Sequence, residues 1–153
     1  MKATLRFVVF VTLMFTTTFV VAQDVSIIPT PQSAVFHNDK YSLTAPISVD
    51  VSDDTLLPLL DLLSTYITVN KSNSNGDIRL NIDANLSYEE YQLKIDYAGV
   101  SITGGGYGGV FNGIATLLQM LPATVYSKQG ITTAELPYCL IKDAPRYTHR
   151  GFM

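Results

Sequence analysis

The sequence predicts an α+β (α/β) domain built on a mixed, mostly antiparallel sheet with two helices on one face. Apolar and polar residues alternate over residues 78–82, 91–97 and 100–102, and this period of two is typical of strands with one wet face. Residues 56–67 and 110–121 repeat their apolar positions every three or four residues, which is the period of a helix. Strands of this kind favour antiparallel or mixed pairing, with the helices covering the dry face.

The first 22 residues have the features of a secretory signal peptide. Lys2 and Arg6 precede an uncharged run over residues 7–21, and Ala22 is a small residue at the position that a signal peptidase reads. The alternative is an uncleaved membrane anchor, but a spanning helix needs about 20 apolar residues, and this run is shorter and rich in threonine. We therefore expect residues 1–22 to be removed, the rest to be exported to the periplasm or beyond the cell, and no stable membrane span to remain.

The charge balance argues against a nucleic-acid partner. The chain has 13 acidic and 10 basic residues, and two of the basic ones fall within the predicted signal peptide. A chain of negative net charge lacks the basic surface that binds phosphate backbones. After cleavage about 130 residues remain, which is enough for one domain with its own core.

The chain ahead of the first helix predicts an extended segment and three short strands. Pro29 and Pro31 remove backbone donors and hold residues 27–31 extended. Residues 37–40 are polar and have the length of a hairpin connection between two short strands, and residues 47–51 alternate as a third strand.

The first helix and the segments after it follow from periodicity and capping. Asp53 or Asp54 is placed to cap this helix, and Pro58 is tolerable only in its first turn. Residues 70–77, rich in Asn, Ser and Gly, predict a solvated loop ahead of the three alternating strands. After the second helix, residues 138–141 predict one last strand.

Six of the ten glycines lie between residues 103 and 113, just ahead of the second helix. Gly104, Gly106 and Gly109 match the dinucleotide-binding pattern G-x-G-x-x-G literally. That pattern needs a buried parallel strand before it and an acidic residue about 20 positions later. The strands here alternate, and the first acidic residue after the glycines is Glu135, beyond the proline that ends the helix. We therefore expect the glycines to permit positive φ and a close approach of the helix to the sheet, and not to bind a nucleotide.

Residues with catalytic potential do not combine into a site. The acidic pairs at 53–54 and 89–90 are adjacent residues, which in a strand point to opposite faces, so we expect a helix cap and a solvated turn. His37 and His149 lack a second ligand at metal spacing. Cys139 lies among apolar residues that predict burial. No catalytic residue, metal site or cofactor site is therefore expected within the chain.

Five short phrases, taken together and in order, are the most specific feature of the sequence. They are IPTPQ at 28–32, YQLKI at 91–95, the glycine stretch running into TLLQMLP at 104–122, LPY at 136–138 and KDAPRYTHRG at 142–151. Any one of them is weak, but their combination resembles the N-terminal region of the β-N-acetylhexosaminidases of glycoside hydrolase family 20.

The resemblance implies a noncatalytic domain over residues 23–145 and the first strand of a (β/α)8 catalytic barrel over residues 146–153. The family's catalytic Asp–Glu pair would then lie beyond Met153, and the chain alone would be inactive. The resemblance also implies that Arg150 binds hydroxyls of the terminal sugar, a role that suits the planar donor fork of arginine. Spacing alone leaves open whether Arg146 and Arg150 form a recognition cluster or a solvated exit.

By the same resemblance, the parent protein is an exported β-N-acetylhexosaminidase that removes terminal non-reducing N-acetylhexosamine from glycans. In this family the substrate's acetamido oxygen attacks the anomeric carbon, an aspartate orients it and a glutamate protonates the leaving oxygen, a recognised exception among retaining enzymes. No metal or organic cofactor is implied, and the domain would pack on the barrel. The alternative is a stand-alone secreted carbohydrate-binding module without catalytic activity.

Overall fold

Residues 26–127 and 131–146 are described by the computed structural model. Its centre is a seven-stranded sheet of β1 (Ser33–Thr44), β2 (Ile47–Val51), β3 (Val69–Ser72), β4 (Ile78–Ile82), β5 (Tyr91–Asp96), β6 (Gly99–Gly104) and β7 (Thr133–Asp143). Two helices, α1 (Pro58–Ser64) and α2 (Tyr107–Met120), and two 3-10 turns, Asp54–Leu56 and Ala123–Tyr126, complete the fold. The predicted signal peptide and Arg150 lie outside the described residues.

The strands lie side by side in the order β1-β7-β5-β6-β4-β2-β3. The three pairings from β1 to β6 are antiparallel, and the three from β6 to β3 are parallel. α1 joins β2 to its parallel neighbour β3, which is the crossover that such a pair requires. α2 packs across β6, β5 and β4. The predicted mixed sheet with two helices on one face is confirmed, with the antiparallel pairings gathered in one half.

The core lies between the sheet and the helices. Ile78, Val100 and Ile95 stand in register on three neighbouring strands and are almost fully buried, and Leu59 of α1 and Leu117 of α2 have no exposed surface. The opposite sheet face carries a polar row across four strands, with Asp50, Arg79, Ser101 and Lys94 in register. The alternation in the sequence therefore separates a dry face from a wet one, as predicted.

The predicted hairpin at residues 37–40 is wrong. β1 continues through it as one strand along β7, and the register is irregular between Phe36 and Lys40. At this point three residues of β1, residues 37–39, lie opposite the single residue Tyr138 of β7. The neighbouring Pro137 has no N–H to donate to the ladder. A bulge and a turn both leave backbone groups unpaired, and both therefore tolerate the same polar residues.

The predicted loop at residues 70–77 is wrong in its first part, because Asn70, Lys71 and Ser72 belong to the edge strand β3. An edge strand has one neighbour and little buried surface, so its side chains need not alternate between apolar and polar. The last strand is also longer than the predicted residues 138–141 and begins at Thr133. Pro137 interrupts its alternation and hides that extension in the sequence.

The close approach of α2 to the sheet, and not positive φ, explains the glycines around the start of α2. Gly99 is the glycine with positive φ (108°) in the described part of the chain, so the predicted positive φ at residues 104–113 is wrong. A Cβ at Gly104 would meet the backbone N of Val110, and one at Gly109 would meet the carbonyl oxygen of Glu90. The predicted close approach of the helix to the sheet is thus confirmed as backbone-to-backbone contact.

The predicted turn at residues 89–90 is confirmed. The predicted cap is confirmed for the 3-10 turn that precedes α1, whereas Leu57, the N-cap of α1 itself, makes no side-chain capping bond. The Asp53 carboxylate accepts hydrogen bonds from the amide (2.8 Å) and hydroxyl (2.6 Å) of Thr55, and these bonds lower the pKa of Asp53. Pro58 occupies the first turn of α1. Glu90 accepts from the amide of Ser87 at 3.1 Å in the turn before β5.

Asp77 joins three strands through its carboxylate, just before β4. One oxygen accepts from the amide (2.9 Å) and hydroxyl (2.5 Å) of Ser48 in β2, and the other accepts from the hydroxyl of Tyr41 in β1 at 3.1 Å. Desolvation alone would raise the pKa of Asp77, but these hydrogen bonds outweigh it and lower the pKa.

We expect acid to destabilise the protein partly through Asp77. A carboxyl whose folded pKa lies below its unfolded value, about 3.9, stabilises fully above that value, and the contribution is lost as pH falls through the folded pKa. The free energy of unfolding, measured in urea at pH 7 and pH 3, should therefore fall less in Asp77→Asn than in the wild type. The control is Asp39→Asn, since Asp39 lies in the bulge of β1 and is exposed. An equal pH dependence in Asp77→Asn and the wild type would contradict this role.

Candidate functional site

Three of the five specific phrases of the sequence meet at one end of the sheet. They are a leading segment (residues 27–32), the end of α2 with its TLLQ phrase (residues 116–119), and an exit segment (residues 143–146) that begins at the last residue of β7. These parts are far apart along the chain, yet they line one cleft together.

The leading segment is held on α2 at its start. The amide of Ile28 donates to Oε1 of Gln119 at 2.9 Å, and Ile27 is buried with only 8% of its surface exposed. A polar anchor and an apolar one thus hold this non-regular segment against the helix.

Gln32 connects the leading segment to the exit segment. Its backbone N–H donates to Oδ1 of Asp143 at 3.1 Å, and its side-chain Nε2 donates to the carbonyl oxygen of Ala144 at 3.0 Å. The ladder of β1 and β7 begins at the next pair, Ser33 with Lys142. Gln32 therefore extends this pairing past the end of the ladder, with side chains in place of backbone groups.

Tyr91 and Thr116 form a buried polar contact beneath the cleft. Their hydroxyl oxygens are 2.6 Å apart, and the two residues are 4% and 5% exposed. Burial is the main cause that raises the pKa of Tyr91; the bond to Thr116 lowers it and the carboxylate of Asp143 raises it further. The tyrosine stays protonated at neutral pH, and the contact holds α2 on β5.

The cleft between these parts has a volume of about 150 Å³. Its polar lining includes Glu89, Asn112 and Asp143, and Pro29 of the leading segment and Pro145 of the exit segment also line it. Asn112 donates to the carbonyl oxygen of Glu89 at 3.2 Å. The side chains of Asn112 and Asp143 bind neighbouring backbone and so orient chain segments. Among the described residues, the cleft lining includes no nucleophile paired with a base.

The residues singled out from the sequence are distributed unevenly over the structure. Arg150 and His149 lie outside the described residues, and Arg146 is exposed at the end of the exit segment. His37 lies in the bulge of β1, and no group of three or more His, Cys, Asp or Glu side chains that could hold a metal occurs in the described ranges. Cys139 is buried as predicted, and this burial raises its pKa to about 11. Within residues 26–127 and 131–146, no helix is long and apolar enough to cross a membrane.

Gln32 and Gln119 are the site residues that sequence reasoning missed. Each is the last residue of a phrase, IPTPQ or TLLQ, that carries the family resemblance. Nothing in local periodicity distinguishes a glutamine that binds distant backbone from a solvated one. Their position in two separate specific phrases was the available signal.

The sequence profile described as Glycosyl hydrolase family 20, domain 2, matches residues 24–144. A curated beta-hexosaminidase of Porphyromonas gingivalis is 33% identical over 142 residues, which cover 84% of this chain and 18% of that protein. The solved family 20 β-N-acetylhexosaminidase of Streptomyces coelicolor is 31% identical with a TM-score of 0.67, covering 80% of this chain and 27% of its own.

A third relative is the solved exo-β-N-acetylglucosaminidase of Vibrio harveyi in complex with N-acetylglucosamine. It is 25% identical with a TM-score of 0.65, over 81% of this chain and 20% of that one. The chain thus spans only about a fifth to a quarter of the length of these relatives. The profile match covers most of the chain, and the cleft brings together the phrases that carry the resemblance: the chain belongs to glycosyl hydrolase family 20 and matches the part of it described as domain 2.

Proposed function

We propose that the parent of this chain is an exported β-N-acetylhexosaminidase that hydrolyses terminal non-reducing N-acetylhexosamine residues by substrate-assisted retaining catalysis. The observation that carries the proposal is the profile match over residues 24–144, together with hexosaminidase relatives of whose length this chain spans only 18% and 20%. In this proposal the described domain is noncatalytic, the Asp–Glu pair lies beyond Met153, and Arg150 binds hydroxyls of the terminal sugar.

The outer face of α2 supports a domain that packs on a catalytic barrel. The helix contains no charged residue along its 14 positions, yet Tyr107 and Phe111 are 37% and 42% exposed on it. A solvated helix normally carries charge on its outer face. The cleft lies at the end of this same face, where the exit segment leaves the sheet.

The substrate-assisted mechanism makes a specific prediction for the full-length protein. Aryl β-glycosides of N-acetylglucosamine or N-acetylgalactosamine should release the aryl alcohol, because they carry the acetamido oxygen that acts as nucleophile. The matching β-glucoside lacks that group and should be hydrolysed at least about a hundredfold more slowly, as expected when the attacking group is missing. Hydrolysis should require no added metal ion or organic cofactor.

Two results would reject the proposal. A stop codon directly after codon 153 would show that no catalytic domain follows, and equal hydrolysis of the β-glucoside would exclude acetamido participation. The module alternative makes the opposite prediction, since residues 23–145 alone would then bind sugar measurably. Export is tested separately by the mass of the mature protein, which should begin at Gln23.

A further inference from the structure

We propose that Asn75 is a site of spontaneous covalent modification, at which the asparagine converts to a mixture of aspartate and isoaspartate. Two Asn–Gly pairs occur in the sequence, Asn75 with Gly76 and Asn112 with Gly113, and both lie within the described residues. Asparagine followed by glycine is the pair most prone to this chemistry, because glycine has no side chain to hinder attack by its own backbone nitrogen. The inference concerns the described domain and does not rest on the proposed function.

The reaction consumes only water. The backbone nitrogen of Gly76 attacks Cγ of Asn75, so that a new C–N bond forms, the bond from Cγ to Nδ2 breaks, and ammonia leaves with the proton of the Gly76 amide. Water then opens the five-membered succinimide. Opening at the side-chain carbonyl gives aspartate, whereas opening at the main-chain carbonyl gives isoaspartate. Either product carries a carboxyl group in place of the amide, which adds about 1 Da and one negative charge.

The loop between β3 and β4 leaves Asn75 accessible for this reaction. Asn75 is exposed and belongs to neither a helix nor a strand. The loop is ordered by Ser72, whose hydroxyl donates to the carbonyl oxygen of Ser74 at 2.8 Å and accepts from the amide of Ser74 at 3.3 Å. Neither of these bonds engages the Asn75 side chain, so its amide group can turn toward the following nitrogen.

The fold itself requires the reactive pair. Asn75 has a φ of 52°, a left-handed conformation that asparagine tolerates better than most residues with a side chain. A Cβ at Gly76 would stand 2.7 Å from the backbone nitrogen of Asp50 and 2.9 Å from the carbonyl oxygen of Ile78. Both are backbone atoms of sheet strands and cannot move aside. Glycine is therefore needed at position 76, and asparagine is favoured just before it.

The second pair provides an internal control, because the structure protects it. Asn112 and Gly113 lie in the middle of α2, where hydrogen bonds along the helix fix the main chain. The Asn112 side chain is also occupied, since its Nδ2 donates to the carbonyl oxygen of Glu89 at 3.2 Å. A Cβ at Gly113 would collide with the side chain of Ile102, so the helix is pressed onto the sheet here. Asn112 can react only when α2 opens locally.

Isoaspartate at position 75 should weaken the joint between β2 and β4. It lengthens the main chain by one atom, directly before the tightly packed Gly76. The next residue is Asp77, whose carboxylate binds Ser48 of β2 and Tyr41 of β1. The extra atom has no space unless these contacts shift. Aspartate at position 75 keeps the length of the main chain and changes only the charge.

The first test compares the two asparagines within the same full-length protein. Samples are kept at pH 9 in buffer and in urea, and peptides are mapped by mass spectrometry, with isoaspartate identified by enzymatic methylation. In buffer, Asn75 should convert within about tenfold of its rate in urea, whereas Asn112 should be slowed at least about a hundredfold, because the interior of a packed helix opens rarely. Conversion of Asn75 should be slower at pH 6, since the attacking nitrogen must lose its proton.

The second test measures the structural consequence with two variants. Asn75→Gly retains the positive φ and removes the reactive amide, so it should show no conversion at position 75. Freshly purified Asn75→Asp controls for the added charge. Wild-type protein aged until half of Asn75 is isoaspartate should melt about 2–4 °C below both variants.

Three results would overturn the inference. One is the absence of isoaspartate at position 75 in buffer when half of the sample in urea has converted. Another is conversion of Asn112 in buffer as fast as that of Asn75, which would mean that unfolding and not the loop controls the reaction. The last is an equal melting temperature for aged wild-type protein and Asn75→Gly, which would remove the predicted effect on the β2–β4 joint.

Discussion

Replacing Gly109 with alanine should lower the free energy of unfolding by about 3 kcal/mol, the upper part of the range for overpacked interiors. Gly109 lies in the first turn of α2, where its amide donates to the carbonyl of Tyr88 at 3.0 Å. A Cβ there would collide with the carbonyl oxygen of Glu90 and approach Cα of Gly104 to 3.0 Å. Both neighbours are backbone atoms of the sheet and its adjoining turn, so they cannot move without separating the helix from the sheet.

Gly108 provides the matched control one position earlier in the same helix. A Cβ there would meet the ring of Tyr88 at 3.0 Å and the side chain of Glu89 at 3.3 Å. Tyr88 is 63% exposed, so its ring can rotate away. Alanine is also better than glycine in a helix by about 1 kcal/mol. Gly108→Ala should therefore be neutral or stabilising.

Urea denaturation of both variants measures this difference. Equal midpoints for Gly109→Ala and Gly108→Ala would show that the close approach of α2 to the sheet does not require glycine at position 109. A large loss confined to Gly109→Ala would support close approach as the physical requirement behind that stretch.

Elements with a complete local pattern were predicted well from the sequence. The strands at residues 78–82, 91–96 and 99–104 bury every second residue, because each has one face on the core. α1 and α2 have their apolar positions at helical spacing, and Asp53 and Pro58 mark the start of the first helical segment as capping chemistry requires. In these elements the local pattern of apolar and polar residues is enough to determine which side chains are buried.

Elements defined by distant partners were not predictable in this way. β3 is a strand because Val69–Ser72 pairs with β2, and its polar residues alone resemble a loop. The bulge of β1 exists because three residues face Tyr138 on β7, which no pattern within β1 reveals. The same limit applies to the cleft, since Gln32 and Ala144 are 112 residues apart. Only the family resemblance, which orders distant phrases, indicated that these parts belong to one site.

In the full-length protein, Arg150→Ala should reduce kcat/KM by about 150-fold. The proposed role is to donate from the planar guanidinium to hydroxyl oxygens of the terminal sugar, and bonds from a charged donor are worth about 1.5–3 kcal/mol each. A loss of about 3 kcal/mol corresponds to a factor of about 150 in rate. Arg150→Lys keeps the charge but loses the two-pronged donor, so its activity should lie between those of the wild type and Arg150→Ala.

Arg79→Ala is the control for a general loss of arginine. The Arg79 guanidinium donates to the carbonyl of Ala98 at 2.7 Å on the wet face of the sheet, so its removal should affect stability and leave kcat/KM of the folded enzyme unchanged. A comparable loss of activity in Arg79→Ala would mean that the effect at Arg150 reflects folding and not substrate binding.

Deoxy substrates can show whether Arg150 contacts the sugar itself. If the guanidinium binds a given hydroxyl, removing that hydroxyl should lower kcat/KM strongly for the wild type and only slightly for Arg150→Ala, because the partner is already absent. The comparison is made one hydroxyl at a time on the terminal N-acetylhexosamine of an aryl glycoside. Equal losses in both enzymes at every position would show that Arg150 does not bind the hydroxyls of the terminal sugar.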